Sequence, residues 1–254
     1  MSRLSALVVI HNEEARLAAC LTPLRFCDEI VVVLDRCTDN SRAIAAGFTD
    51  RLVEGGWELE GPRRNTGIEA CSGDWILEID ADETVSPELA AEIRQVTDSS
   101  AFDVHNIPVD NWVGARLVRW GWGASFGKSA YPGLFRKGAK RWGDERVHPK
   151  LTLSEKRGPA LTNRLRHQVD RDISDMIRRF DKYTTAHAAD MVETGKIPPL
   201  RSDMRRLFSR SYKCLVSRKG YREGAMGLLI ATLAGLYPLV SNLKARETVD
   251  KRSL

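Results

Sequence analysis

The segment GDWILEIDADETVSPEL, residues 73–89, runs from an apolar stretch (Trp75, Ile76, Leu77, Ile79) straight into Asp80, Asp82 and Glu83. Two carboxylates two positions apart at the end of a buried strand can hold Mg²⁺ or Mn²⁺ through hard oxygen ligands, leaving positions open for phosphate oxygens. A cation held this way takes up the charge that develops on a departing diphosphate. The plainer reading is a solvated turn that feeds a helix. Ser86, Pro87 and Glu88 supply a cap, a first-turn proline and an acid near the positive helix end. Two further features favour ligand chemistry. Asp35 ends a second apolar run, EIVVVLD, where a carboxylate can accept from a pyrimidine N–H or a ribose hydroxyl. Arg63 and Arg64 open a helical segment, where guanidinium groups and the helix N-terminus can meet phosphate together. In a merely solvated first turn these cations would sit against the helix dipole.

Such groups need a scaffold that gathers strand ends on one rim. The first hundred residues alternate apolar runs (Leu4–Ile10, Glu29–Leu34, Arg51–Val53 and the run ending at Asp80) with helical segments. This pattern predicts βαβ units and a mainly parallel sheet flanked by helices. Ligands bind such sheets beyond the carboxyl ends of the strands. Those ends carry His11-Asn12-Glu13-Glu14, Asp35 to Asp39, and Asp80 to Glu83.

Composition bounds the rest. With 43% apolar and 29% charged residues the chain is globular. Five cysteines without a C-x-x-C pair fit a reducing compartment better than a disulfide framework or structural zinc. The N-terminal apolar run reads as a strand and not a signal peptide. Three segments are expected: 1–100, the strand–helix half; 101–170, a Gly- and Trp-rich antiparallel extension; and 171–254, a helical extension. Residues 172–195 show helical spacing of Ile173, Met176, Ile177, Phe180 and Tyr183. Acids outnumber cations in residues 1–100, whereas residues 201–222 carry eight Lys and Arg against Asp203 alone. That basic tail points to nucleic acid or an anionic membrane surface. No zinc finger, RNA-binding aromatic motif or helix-turn-helix accompanies it, so a membrane is expected and nucleic acid is not. Residues 225–240 are uncharged. They read as an element in the membrane interface, with a core helix or a span as the alternatives.

The ordered set LSALVVIHNEEARLAACL, EIVVVLDRCTDNS and GPRRNTGIEACSGDWILEIDADETVSPEL resembles family 2 glycosyltransferases of the nucleotide-sugar-binding GT-A fold. GLFRKGAKRWGDERVHPKL, LRHQVDRDISDMIRRFDKYTT and YREGAMGLLIATLAGLYPLV resemble the branch that includes lipopolysaccharide core β-glucosyltransferases. The resemblance covers nearly the whole chain. It implies a metal-dependent inverting transfer of a hexose, glucose foremost, from a UDP-sugar to a lipid-linked saccharide, with Mg²⁺ or Mn²⁺ as cofactor. The enzyme would be cytoplasmic and peripheral on the inner face of the membrane. The resemblance implies that Glu13, Asp35, Arg64 and Asp80 bind the nucleotide-sugar and that Asp82 binds the metal. Asp144 would be the base, with Glu145 as the neighbouring choice because the motif is ambiguous by one residue. His148 would lie near the acceptor, and His167 falls where some relatives supply a late metal ligand; either could instead be a core histidine. Trp122, with Arg119 and Trp120, could stack on a sugar ring or serve as a structural aromatic. Leu34-Asp35 and Cys37 depart from the family pattern, which loosens the assignment of base recognition. The rival readings are a nucleotidyltransferase, for which HNEEARL is a poor phosphate loop, and a non-catalytic adaptor that binds nucleotide-sugar or glycan at the membrane.

Overall fold

The apolar run Leu4–Ile10 folds as β1 with all seven residues buried, as a central strand covered on both faces requires. Its side chains alternate between two layers. Leu4, Ala6, Val8 and Ile10 join the core containing Leu17, Leu21, Trp75 and Leu89, whereas Leu7 and Val9 join Val31, Val33, Ile68 and Ile76 on the other face. In this computed structural model, which describes residues 2–122, 127–145 and 149–252, β1 pairs in parallel with β2 (Glu29–Asp35) and β4 (Trp75–Ile79). The short β3 (Leu52–Gly55) extends the parallel set beyond β2. The helices α1 (Leu17–Leu21), α2 (Ser41–Ala46) and α3 (Glu60–Ala70) connect these strands. The helix α4 (Pro87–Ser99) starts where its signals place it, with the Ser86 hydroxyl accepting from the Leu89 N–H at 3.2 Å.

Beyond β4 the strands pair antiparallel. They are β5 (Glu83–Thr84), β6 (Val104–Val113), β7 (Arg116–Val118), β8 (Ala130–Arg136) and β11 (Leu165–Asp170), with β8 lying between β4 and β6. The sheet order is β3-β2-β1-β4-β8-β6-β11-β5, with β7 paired to β6. The expected mainly parallel sheet is thus a mixed one: a parallel block of four strands continued by antiparallel neighbours. The strands β9 (Lys140–Trp142) and β10 (Leu151–Leu153) form a separate hairpin.

The chain divides into two compact units. The first is Met1–Val109 with Ala130–His167, and the second is Asp110–Ser129 with Gln168–Leu254. Residues 110–129 therefore group with the C-terminal helices, and the chain passes from unit to unit within β6 and β11. In the second unit α5 (Ile173–Thr194) is capped by the Asp172 carboxylate, which accepts from the Asp175 N–H at 2.7 Å. Gly195 ends it at φ 66°, a left-handed position suited to glycine. The helices α6 (Leu200–Tyr212) and α7 (Ala225–Arg252) complete the unit. Its core joins Val113, Val118, Trp122, Met176, Cys214, Ile230 and Ala234. Gly235 of α7 allows close approach to α6, since a Cβ there would lie 2.7 Å from the Leu207 carbonyl oxygen. By length and composition α7 suffices to cross a membrane, yet half of its apolar window is buried.

Candidate active site

The acids after β4 are gathered by strand pairing. Asp80 and Asp82 occupy the turn between β4 and β5, and the Asp80 N–H donates to the Glu83 carboxylate at 2.9 Å. The strand β5 pairs antiparallel with β11 so that His167 stands opposite Glu83. That register carries the His167 imidazole to the turn, with Nε2 3.4 Å from the Asp82 carboxylate. Arg16 approaches the same Asp82 oxygen at 3.7 Å and pairs with Glu13 at 2.9 Å. Burial, with Asp82 and Asp39 adding to it, pushes the Glu13 carboxyl above its ordinary value despite Arg16.

Beneath these groups lies a buried ion network. Arg64 of α3 donates to Glu60 and Glu78 at 2.5 Å each and to Asp80 at 2.9 Å. Glu78, an acid in the middle of β4, also accepts from Lys140 of β9 at 2.6 Å. The side chains of this pair are 2% and 1% exposed. Burial opposes the Glu78 charge, but Lys140 and Arg64 outweigh it and hold its carboxyl below the ordinary range. The Tyr131 hydroxyl donates to the Glu78 carbonyl at 2.8 Å. Arg64 also lies over the Trp142 ring, 5.1 Å from its centroid. The helix α3 is locked to β9 by reciprocal bonds: Asn65 donates to the Trp142 carbonyl at 2.8 Å, and the Trp142 N–H donates back at 3.0 Å. Gly61 is needed there, because a Cβ would meet the Gly143 carbonyl oxygen at 1.8 Å.

Asp35 ends β2, 3% exposed. Its carboxylate accepts from the Trp57 N–H at 3.1 Å, from Arg36 at 3.0 Å and from Arg63 at 3.0 Å. Burial raises this group, and those donors more than compensate, holding it below its usual value. The cations Arg63 and Arg64 are therefore neither solvated nor opposed by the helix dipole alone. Glu60, in the first turn of α3, pairs with both.

Asp144 and Glu145 follow β9 and are exposed. Glu145 accepts from the Lys150 N–H at 3.0 Å, and that bond holds its carboxyl below the ordinary value. Among the described residues the Asp144 carboxylate has no hydrogen-bond or ion-pair partner, and Arg141 turns instead to Glu69 at 3.8 Å. His148 lies outside the described residues. Trp122 belongs to the second unit, 8% exposed in its core, and donates its indole N–H to the Val118 carbonyl at 2.5 Å. Its ring is a core element and offers no stacking face for a sugar.

The structure thus places Glu13, Asp35, Arg64, Asp80, Asp82, Asp144, Glu145 and His167 in one unit, with direct contact between Asp82 and His167 and between Arg64 and Asp80. Sequence reasoning missed Glu78, Lys140, Glu60 and Arg16. Only Glu78 carried a signal, as a lone acid inside an apolar strand. Among the described residues no three His, Cys, Asp or Glu side chains form a ready-made metal cluster. One carboxylate and one imidazole fit a divalent cation whose remaining ligands are phosphate oxygens and water.

Residues 5–143, more than half of the chain, match the family model described as glycosyl transferase family 2. Over 97% of its length the chain is 29% identical to the lipopolysaccharide core biosynthesis glycosyltransferase LpsC of Rhizobium meliloti, of which it covers 96%. An uncharacterized glycosyltransferase of Rickettsia felis is 34% identical over 38% of this chain and 34% of its own length. The solved structure of S. aureus TarS 1-349 in complex with UDP is similar with a TM-score of 0.50 and 13% identity. That likeness, which covers 99% of this chain and 92% of the other, is one of fold. It agrees with the GT-A architecture expected from the sequence. The chain belongs to glycosyl transferase family 2.

Proposed function

We propose that this glycosyltransferase moves a hexose, glucose foremost, from a UDP-sugar to a lipid-linked saccharide of lipopolysaccharide core or another cell-surface glycan, inverting the anomeric centre. The observation that carries this reading is the convergence of Asp80, Asp82 and His167 where β4 leaves the sheet, braced by Arg64. The extended similarity to LpsC supports the acceptor class, and the fold shared with a UDP complex supports the donor class.

In this reading Asp82 and His167 hold Mg²⁺ or Mn²⁺, which supplies Lewis-acid stabilisation to the departing diphosphate. Asp80, oriented by Arg64, faces the ribose, and Asp35, held by Arg36 and Arg63, faces the uracil or ribose. Arg64, with three carboxylates on its guanidinium, acts by positioning Asp80 and not by direct contact with phosphate. Asp144 takes the proton from the acceptor hydroxyl as that oxygen attacks the anomeric carbon. The bond from that carbon to the phosphate oxygen breaks, and its electron pair leaves with UDP. Glu145, committed to the Lys150 N–H, is the weaker base. A peripheral position on the inner membrane face brings the enzyme to a lipid-borne acceptor.

The test is UDP release from a panel of UDP- and GDP-sugars with and without Mn²⁺ or Mg²⁺, comparing wild type with Asp82→Ala. Metal-dependent turnover of one donor, lost in the variant, is expected. If no nucleotide-sugar binds or turns over, the donor assignment fails and the non-catalytic adaptor takes its place.

A further inference from the structure

The helix α6 carries Leu200, Met204, Phe208 and Tyr212 at every fourth position, which stacks them in one stripe along the helix. All four are exposed, Phe208 at 66% and Tyr212 at 62%. Val216 and Tyr221 continue the series of exposed apolar side chains past the helix. The packed face of α6 lies beside this stripe: Leu207 and Ser211 lie against Gly235 of α7, and the Ser211 hydroxyl donates to the Ala231 carbonyl at 3.1 Å. Their exposure sets the four apolar side chains apart from the face that builds the unit's core.

The surroundings are positive. Residues 196–224 hold nine Lys and Arg and two acids, Asp203 and Glu223. Both acids are buried and used internally. Asp203 accepts from Asn242 at 2.5 Å, and Glu223 accepts from the N–H groups of Arg119 and Trp120 at 2.8 and 3.1 Å. Arg201, Arg205 and Lys213 remain exposed, whereas Arg206 pairs with Asp203 at 3.6 Å. An apolar stripe bordered by cations, with its acids withdrawn, is the pattern of a helix that lies in a membrane interface.

We propose that α6, and not the uncharged run of α7, is the docking element for an anionic bilayer, a proposal that rests on the lipid-linked acceptor argued above. The stripe Leu200–Met204–Phe208–Tyr212 enters the headgroup–acyl boundary, and Arg201, Arg205 and Lys213 meet lipid phosphates. The helix α7, half buried along its apolar window, supports α6 from behind. A nucleic acid would use the cations but leaves Met204 and Phe208 without a role. A second copy of the chain would bring two like-charged faces together.

Sedimentation of the full chain with phosphatidylcholine vesicles, with and without phosphatidylglycerol, tests this. Binding that requires phosphatidylglycerol is expected. The pair Met204→Ser with Phe208→Ser, and separately Arg201→Gln with Arg205→Gln, should each lower partitioning by about tenfold or more. Phe208→Trp should shift its emission to the blue when phosphatidylglycerol vesicles are added. The proposal is overturned if either variant pair binds like wild type or if the Phe208→Trp emission does not move. It is equally overturned if the chain binds duplex DNA in place of vesicles, or if the stripe closes a dimer that Phe208→Ser dissolves. Donor turnover with a water-soluble acceptor saccharide should be unchanged in the serine pair. A wild-type chain that turns over no donor strikes the transferase reading and leaves the vesicle result standing.

Discussion

His167 stands 3.4 Å from the Asp82 carboxylate because β11 pairs with β5 in the register that sets His167 against Glu83. Two residues far apart in the sequence are thus brought together at the position proposed for a divalent cation. Asp82→Ala should abolish metal-dependent turnover, a loss of several kcal/mol of transition-state stabilisation or about a thousandfold in kcat/KM. His167→Ala should raise the Mn²⁺ concentration for half-maximal UDP release by about ten- to a hundredfold. A Mn²⁺ titration of UDP release reads both. An unmoved midpoint in His167→Ala would place the imidazole outside the metal shell.

The two acids after β9 differ in how free they are to take a proton. Asp144→Asn should lower kcat by about 10²- to 10⁴-fold with donor binding retained. Glu145→Gln should cost far less, because its carboxylate already serves the Lys150 N–H. Steady-state kinetics with donor and acceptor varied separately checks this, and the reverse ranking would make Glu145 the base.

The Glu78–Lys140 pair is excluded from water on both sides. Lys140→Met leaves Glu78 short of one of its two cations, and chemical unfolding should show a loss of about 3–5 kcal/mol. The double variant with Glu78→Gln should recover part of that loss, since the desolvated charge goes with its partner. If the single and double variants unfold alike, the pair is no determinant of stability.

Acid should destabilise the first unit through its depressed carboxyls. Burial raises Glu29, but Ser5 and Ser72 donate to it and hold it below its ordinary value; Asp35, Glu78 and Glu92 shift the same way. A carboxyl depressed in the folded state stabilises it above the unfolded-state value, and that contribution is lost as pH falls through the folded value. Glu29→Gln should therefore lower Tm near neutrality, and its deficit should shrink below about pH 4. A Tm series from neutral to acid pH, wild type against variant, measures the narrowing. A deficit that stays constant would assign the effect to packing.

Legibility followed the range of the determinants. The bounds of β1, the end of β2 at Asp35 and the Ser86 cap of α4 are local signals, and the structure has them where the residues place them. The paired roles of Arg64 and Lys140 depend on α3, β4 and β9 meeting around Glu78, which no spacing encodes. Trp122 was open to a stacking role because a tryptophan in a Gly-rich stretch does not say which face it turns inward; Met176 and Cys214, which pack with it, lie far along the chain. The uncharged run of α7 lacks the periodicity that would separate a covered helix from a lipid-facing one. The amphipathic pattern sits in α6, in the basic stretch that precedes this run.

The passage of the chain between its two units inside β6 and β11 sets a limit on modularity. Val113, Val118 and Trp122 are delivered to the second unit by the 110–129 excursion, and they share its core with Met176, Cys214 and Ile230. A chain cut after His167 would keep that excursion and discard what covers it, leaving its valines and tryptophan open to solvent. The helices are therefore no detachable tail, and a soluble minimal enzyme would require the 110–129 excursion to be shortened or recoded together with their removal.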